Sequence, residues 1–68
     1  MEMISVKSSF VAEVGYENGT LGVRLIDGKR YDYFPVSEET FEKFLNAPSK
    51  GIFLNKHVKP FCEYRRLN

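Results

Sequence analysis

The chain reads as a small α+β domain, an antiparallel three-stranded meander followed by two short helices, and three observations predict it. Apolar residues alternate at a period of two as far as Phe34, broken only at Asn18-Gly19 and Asp27-Gly28, two dipeptides that favour tight turns. Pro35 cannot donate to a ladder and closes the strand section. From Ser37 onward the apolar spacing changes to that of a helix.

Size and composition exclude several classes. With 68 residues, 43% hydrophobic and 28% charged, the chain suits one domain whose core is only just sufficient without staples. Large apolar side chains are therefore read as structural first. Cys62 is the single cysteine and His57 the single histidine, so there is no internal disulfide, no thiolate metal cluster and no Cys-x-x-Cys redox pair. Cys62 reads as a half-buried small hydrophobe. Residues 1–10 carry neither a basic start nor an apolar run, and no span reaches membrane length, so a cytoplasmic location without a membrane partner is expected.

Taking the elements in order, residues 1–7 are either a lead-in or an extra edge strand. The first strand spans about 8–16, with Phe10, Ala12, Val14 and Tyr16 on one side. Asn18-Gly19 supplies the positive φ angles of a type I′ turn, and a second strand of about 20–26 places Leu21, Val23 and Leu25 on the same apolar side. A two-residue loop then pairs Tyr16 with Leu21, Val14 with Val23, Glu13 with Arg24 and Ala12 with Leu25. A third strand occupies about 29–34.

Its register depends on the Asp27-Gly28 turn. A two-residue loop would turn Tyr31 and Tyr33 onto the face opposite Leu21, Val23 and Leu25, where with Arg24 they would form an open stacking platform for bases. A three-residue loop with a bulge puts the tyrosines among the aliphatic residues instead, as core side chains whose hydroxyls reach the rim. The second arrangement is favoured, because a small domain rarely leaves two large aromatics uncovered.

Ser37 is a good N-cap, with Val36 and Phe41 spaced as a hydrophobic staple and Glu38 and Glu39 in the first turn. The helix is expected over about 38–46, burying Phe41, Phe44 and Leu45, and Pro48 stops it. Ser49 caps a second helix over about 50–57, in which Ile52 and Phe53 point inward, Lys50, Asn55 and Lys56 point outward, and Gly51 permits a close approach by a backbone or an anion. Phe61 and Tyr64 are expected to pack, and the alternation of Cys62, Tyr64 and Arg66 is compatible with a last strand.

The net charge of +1 conceals an asymmetry. Residues 1–48 hold five basic against eight acidic groups, whereas residues 49–68 hold Lys50, Lys56, Lys59, Arg65 and Arg66 against Glu63 alone. A positive closing third is the footprint of a polyanion partner, although short basic tails also serve as plain solvated surface.

The series Ser8-Ser9, Val14-Gly15-Tyr16, Leu21, Gly28, Tyr31-Asp32-Tyr33, Val36, Ala47, Ser49-Lys50-Gly51 and Phe53-Leu54-Asn55, ending in an aromatic followed by basic residues, resembles the KTSC domain family over nearly the whole chain. The Tyr-x-Tyr centre and the Ser-Lys-Gly segment carry most of the likeness. Pro48 and Pro60 depart from the pattern and leave the helix ends open. The family is named for its occurrence at the C-terminus of some lysyl-tRNA synthetases and also occurs as small bacterial and phage proteins. The resemblance implies no established activity, and it suggests a nucleic-acid role through the synthetase context. Carried over by position, it singles out Tyr31, Tyr33, Ser49, Lys50, Gly51 and Asn55.

The expectation is a non-catalytic binding module for RNA or another polyanion. Ser49, Lys50 and the amides at a helix start would hold a phosphate, Lys56, Lys59, Arg65 and Arg66 would extend the positive surface, and a tyrosine would stack a base. The competing expectation is a protein-interaction or assembly module, with a partner or a second copy on an open sheet face bearing Val11, Ile26 and Phe34. An enzyme is not expected. His57 lacks a second imidazole or thiolate pair, Cys62 lacks an orienting third group, Glu38, Glu39 and Glu42 suit a helix surface, and glycine-rich phosphate loops are absent, so no cofactor is expected.

Overall fold

The structure, a computed structural model, describes residues 1–68. Strands β1 (Ile4–Ser5), β2 (Val11–Glu17), β3 (Thr20–Leu25) and β4 (Arg30–Phe34) precede helices α1 (Glu38–Asn46) and α2 (Lys50–Phe53). A π-helical turn, Leu54–Val58, continues α2 and leads to strand β5 (Glu63–Arg66). The sheet is antiparallel in the order β1-β2-β3-β4-β5, so the three-stranded meander is the centre of a five-stranded sheet. The lead-in adds one edge strand and the closing segment adds the other. No helix is long and apolar enough to cross a membrane.

The first hairpin follows its turn chemistry. Asn18 and Gly19 take φ of 49° and 78°, and Tyr16 faces Leu21, Val14 faces Val23 and Glu13 faces Arg24 as expected. Beyond Glu13 the register shifts: Val11, not Ala12, faces Leu25 across a bulge. Val11 is consequently fully buried, whereas Phe10 is 38% exposed and does not join the inward row. The bulge exchanges an alanine for a valine in the core, which favours it by about 0.8 kcal/mol for each added carbon. It also removes Val11 from the open face on which a partner was expected.

At the second turn the three-residue arrangement prevails. Leu25 N–H donates to Lys29 O at 2.8 Å, Gly28 N–H donates to Leu25 O at 2.9 Å, and Gly28 takes φ of 94°. Val23 then faces Tyr31 and Leu21 faces Tyr33, so both tyrosines lie on the aliphatic face. Tyr33 is 4% exposed and belongs to the core with Val11, Val14, Leu21, Val23, Val36, Phe44, Leu54 and Val58.

Helix α1 spans the residues predicted for it. Ser37 Oγ accepts from Thr40 N–H at 3.1 Å, Val36 and Phe44 are buried, and Phe41 stacks on Tyr16 at 4.9 Å. Ser49 caps α2 by accepting from Ile52 N–H at 3.2 Å. The second helix departs from expectation in two ways. Ile52 is 58% exposed, whereas Phe53 packs against the core as expected, where Leu54 and Val58 join it fully buried. In the π turn Leu54 O accepts from Lys59 N–H at 2.9 Å, the last backbone donor before Pro60. Phe61 and Tyr64, expected to pack, are also largely exposed, Phe61 in the turn that follows the π turn and Tyr64 on β5, which lies at the sheet edge.

The other sheet face is crossed by the N-terminal residues. A Cβ on Gly15 would lie 2.6 Å from Glu2 O, and one on Gly22 would lie 2.5 Å from Met1 Sδ, so both glycines permit this close approach. Beside them Asp32, 6% exposed, accepts from an Arg30 guanidinium nitrogen at 3.1 Å.

Candidate nucleic-acid interface

Cross-strand pairing on the helix-facing side sets Tyr31 beside Arg66 and Tyr33 beside Tyr64. The three tyrosines form a triangle with ring centroids 6.2 to 6.3 Å apart. Phe10, Leu25, Leu54 and Lys59 complete a cleft of about 380 Å³ between this end of the sheet and the π turn. Its depth follows from strand position. Tyr33 lies on an interior strand and is buried, Tyr31 is half-buried, and Tyr64 on the edge strand is 66% exposed. Burial, then the neighbouring Tyr31 and Tyr64, pushes the Tyr33 hydroxyl up to about 12, so it remains a neutral donor near neutral pH.

The basic residues divide. Lys59 lines the cleft, and Arg66 shares its sheet face, adjacent to Tyr31. Lys56 and Asn55 are exposed on the π turn that carries Lys59 toward the mouth. Arg65 points to the opposite face because successive residues of a strand alternate. There it lies 3.9 Å from Asp32 Oδ2 and 5.9 Å above the Phe34 ring.

The Ser-Lys-Gly segment has structural duties. Ser49 spends its hydroxyl on the α2 cap. Lys50, expected to point outward, turns back so that Nζ donates to Leu45 O at 2.9 Å and Ala47 O at 3.0 Å, which caps the C-terminal carbonyls of α1. Gly51 admits the Phe10 ring: an added Cβ would lie 3.3 Å from Phe10 Cδ2. A phosphate cradle at the start of α2 is thereby replaced by a helix junction.

Of the residues singled out by sequence, Tyr31, Tyr33, Lys59 and Arg66 converge, whereas Ser49, Lys50, Gly51 and Arg65 do not join them. Phe10 and Tyr64 line the cleft without having been marked as site residues. Tyr64 had a legible signal, since its alternation with Cys62 and Arg66 put it in a strand, but only the register against β4 shows which tyrosines it meets. Elsewhere, the His57 ring packs tilted against Phe53 with centroids 4.8 Å apart. Cys62 Sγ donates to Pro35 O at 3.3 Å, and burial pushes its thiol up. The Cys62 side chain packs against the core, as expected of a small hydrophobe.

With this geometry in place, comparison with known proteins gives a consistent answer. The model of the KTSC domain matches residues 7–64. The lysine–tRNA ligase of Trichormus variabilis is 34% identical over 68 residues, covering 97% of this chain and 12% of that enzyme. The corresponding ligase of a Nostoc species is 32% identical over the same span and share. The chain therefore spans only 12% of the length of these relatives. A protein of Tsukamurella paurometabola is 38% identical over 60 residues, 85% of this chain and 90% of its own length. The crystal structure of a KTSC domain protein from Yersinia pestis superposes with a TM-score of 0.89 at 28% identity, covering 98% of this chain and 97% of that one.

Proposed function

This chain belongs to the KTSC domain family, and we propose that it is a non-catalytic module that binds single-stranded RNA by stacking an unpaired base in the tyrosine cleft. The observation that carries this reading is the cleft in which Tyr31, Tyr33 and Tyr64 meet Lys59, with Arg66 beside Tyr31 on the same sheet face. Aromatic faces stack bases with little regard for sequence, and flanking cations take the adjoining phosphates. Lys56 extends the positive path along the π turn, while Ser49, Lys50, Gly51 and Arg65 hold the scaffold. The relatives named as lysine–tRNA ligases act on an RNA, which favours RNA over other polyanions.

Fluorescence anisotropy with a labelled single-stranded oligonucleotide tests the proposal. Truncating Tyr64→Ala removes the accessible ring and is expected to weaken binding by about five- to a hundredfold, the range set by roughly 1–3 kcal/mol per stacked base. Replacing Lys59 and Arg66 by glutamine is expected to flatten the salt dependence by on the order of one logarithmic unit, at about 0.7 per phosphate contact on a single strand. No binding at low salt, or binding indifferent to Tyr64, refutes the reading.

A further inference from the structure

We propose that two copies of this chain join edge to edge through β5, antiparallel, so that their sheets become continuous. Strand β5 ends the sheet and has one unpaired side. Leu67 N–H donates to Arg30 O at 3.0 Å, which sets the phase of the β4–β5 ladder. Because the phase alternates, Glu63 and Arg65 turn their backbone groups toward β4, and Tyr64 and Arg66 present theirs to the free edge. All four residues of the strand are exposed.

The edge is self-complementary in one register. A two-fold axis through Tyr64 sets this residue opposite its own copy, as a hydrogen-bonded pair using the outward N–H and C=O groups. Glu63 then lies opposite Arg65 of the second copy, twice by symmetry. Tyr64 is 66% exposed in the single chain, so this edge sets an apolar ring of each copy beside the axis. A shift of the axis by one residue in either direction sets Arg65 against Arg65 or Glu63 against Glu63, so like charges reject the neighbouring registers. Arginines on an edge ordinarily discourage pairing with foreign strands. Here Glu63 makes the second copy the complementary occupant. The same register brings the two tyrosine clefts side by side, since Tyr64 lines each.

Sedimentation equilibrium on the full chain without RNA, from micromolar to millimolar concentration, is the test. A reversible dimer is expected. Substituting Glu63→Arg converts both attractive pairs into repulsive ones and raises the dimer dissociation constant by on the order of tenfold or more. Glu63 is exposed, so circular dichroism is expected to show an intact fold. Mixing E63R with R65E restores two opposite-charge pairs and is expected to yield a heterodimer from two weakly associating variants. A strictly monomeric wild type, an E63R variant that dimerises as tightly as wild type, or folded variants that fail to associate when mixed would each overturn the proposal. Should R65E not fold, the comparison of E63R with wild type decides.

Discussion

Lys50 separates a structural from a ligand-binding reading of the Ser-Lys-Gly segment. In the Lys50→Met variant the side chain keeps its length and loses its ammonium group, leaving Leu45 O and Ala47 O, now 2.9 and 3.0 Å from Nζ, without their shared donor. Charge-assisted hydrogen bonds contribute about 1.5–3 kcal/mol each where the acceptor is stranded. Both contacts are only partly buried, so water can reach the freed carbonyls and the expected loss is smaller, about 2 kcal/mol in total. In a domain of 68 residues that lowers the melting temperature by roughly 8–16 °C. Thermal denaturation followed by circular dichroism measures it, and RNA anisotropy below the transition should show affinity within about twofold of wild type. A phosphate-binding Lys50 predicts the reverse, a large loss of affinity with an unmoved transition. That outcome would refute the capping role.

Two further predictions concern stability. Asp32→Ala leaves the Arg30 guanidinium, whose Nε is already buried without a partner, facing no carboxylate, and it should cost about 2–4 kcal/mol in urea unfolding, whereas a loss below about 1 kcal/mol would show the pair to be dispensable. The Tyr33 hydroxyl ionises at about 12 in the folded chain against 10.0 ordinarily. Its contribution is therefore fully present below pH 10 and is lost as the pH rises toward 12, because only the unfolded chain releases the proton in that window. Alkaline unfolding should consume on the order of 2 kcal/mol across it, and Tyr33→Phe should flatten that slope; an unchanged slope would place the ionisation elsewhere.

The sequence alone determined the elements whose signals lie within a few residues of one another. Asn18-Gly19 can supply the positive φ angles of its turn, so the Tyr16–Leu21 and Val14–Val23 pairs were legible, and Ser37 with the Phe41, Phe44, Leu45 spacing placed α1 at about 38–46. The same locality explains what was not legible. Whether Ala12 or Val11 turns inward depends on the volume available beneath β2, which the chain segment itself does not carry. The second turn had two stereochemically sound loops that no local signal separates, and the three-residue one was favoured only through the cost of leaving two large aromatics uncovered, which the burial of Tyr33 bears out. Lys50 carries no local sign that its ammonium group turns back onto α1.

Tertiary structure also decided the site. Five basic residues between Lys50 and Arg66 are one block in sequence, yet they serve three different surroundings. Lys50 is consumed by a helix end, Arg65 is turned to the far face by strand alternation, and only Lys59 lines the tyrosine cleft, with Arg66 beside Tyr31 on the same sheet face and Lys56 on the turn nearby. Composition counts charge along the chain, whereas a ligand meets charge on a surface. The transformation between the two is the register of β5 on β4, set by contacts between residues about thirty positions apart, where no local preference reaches.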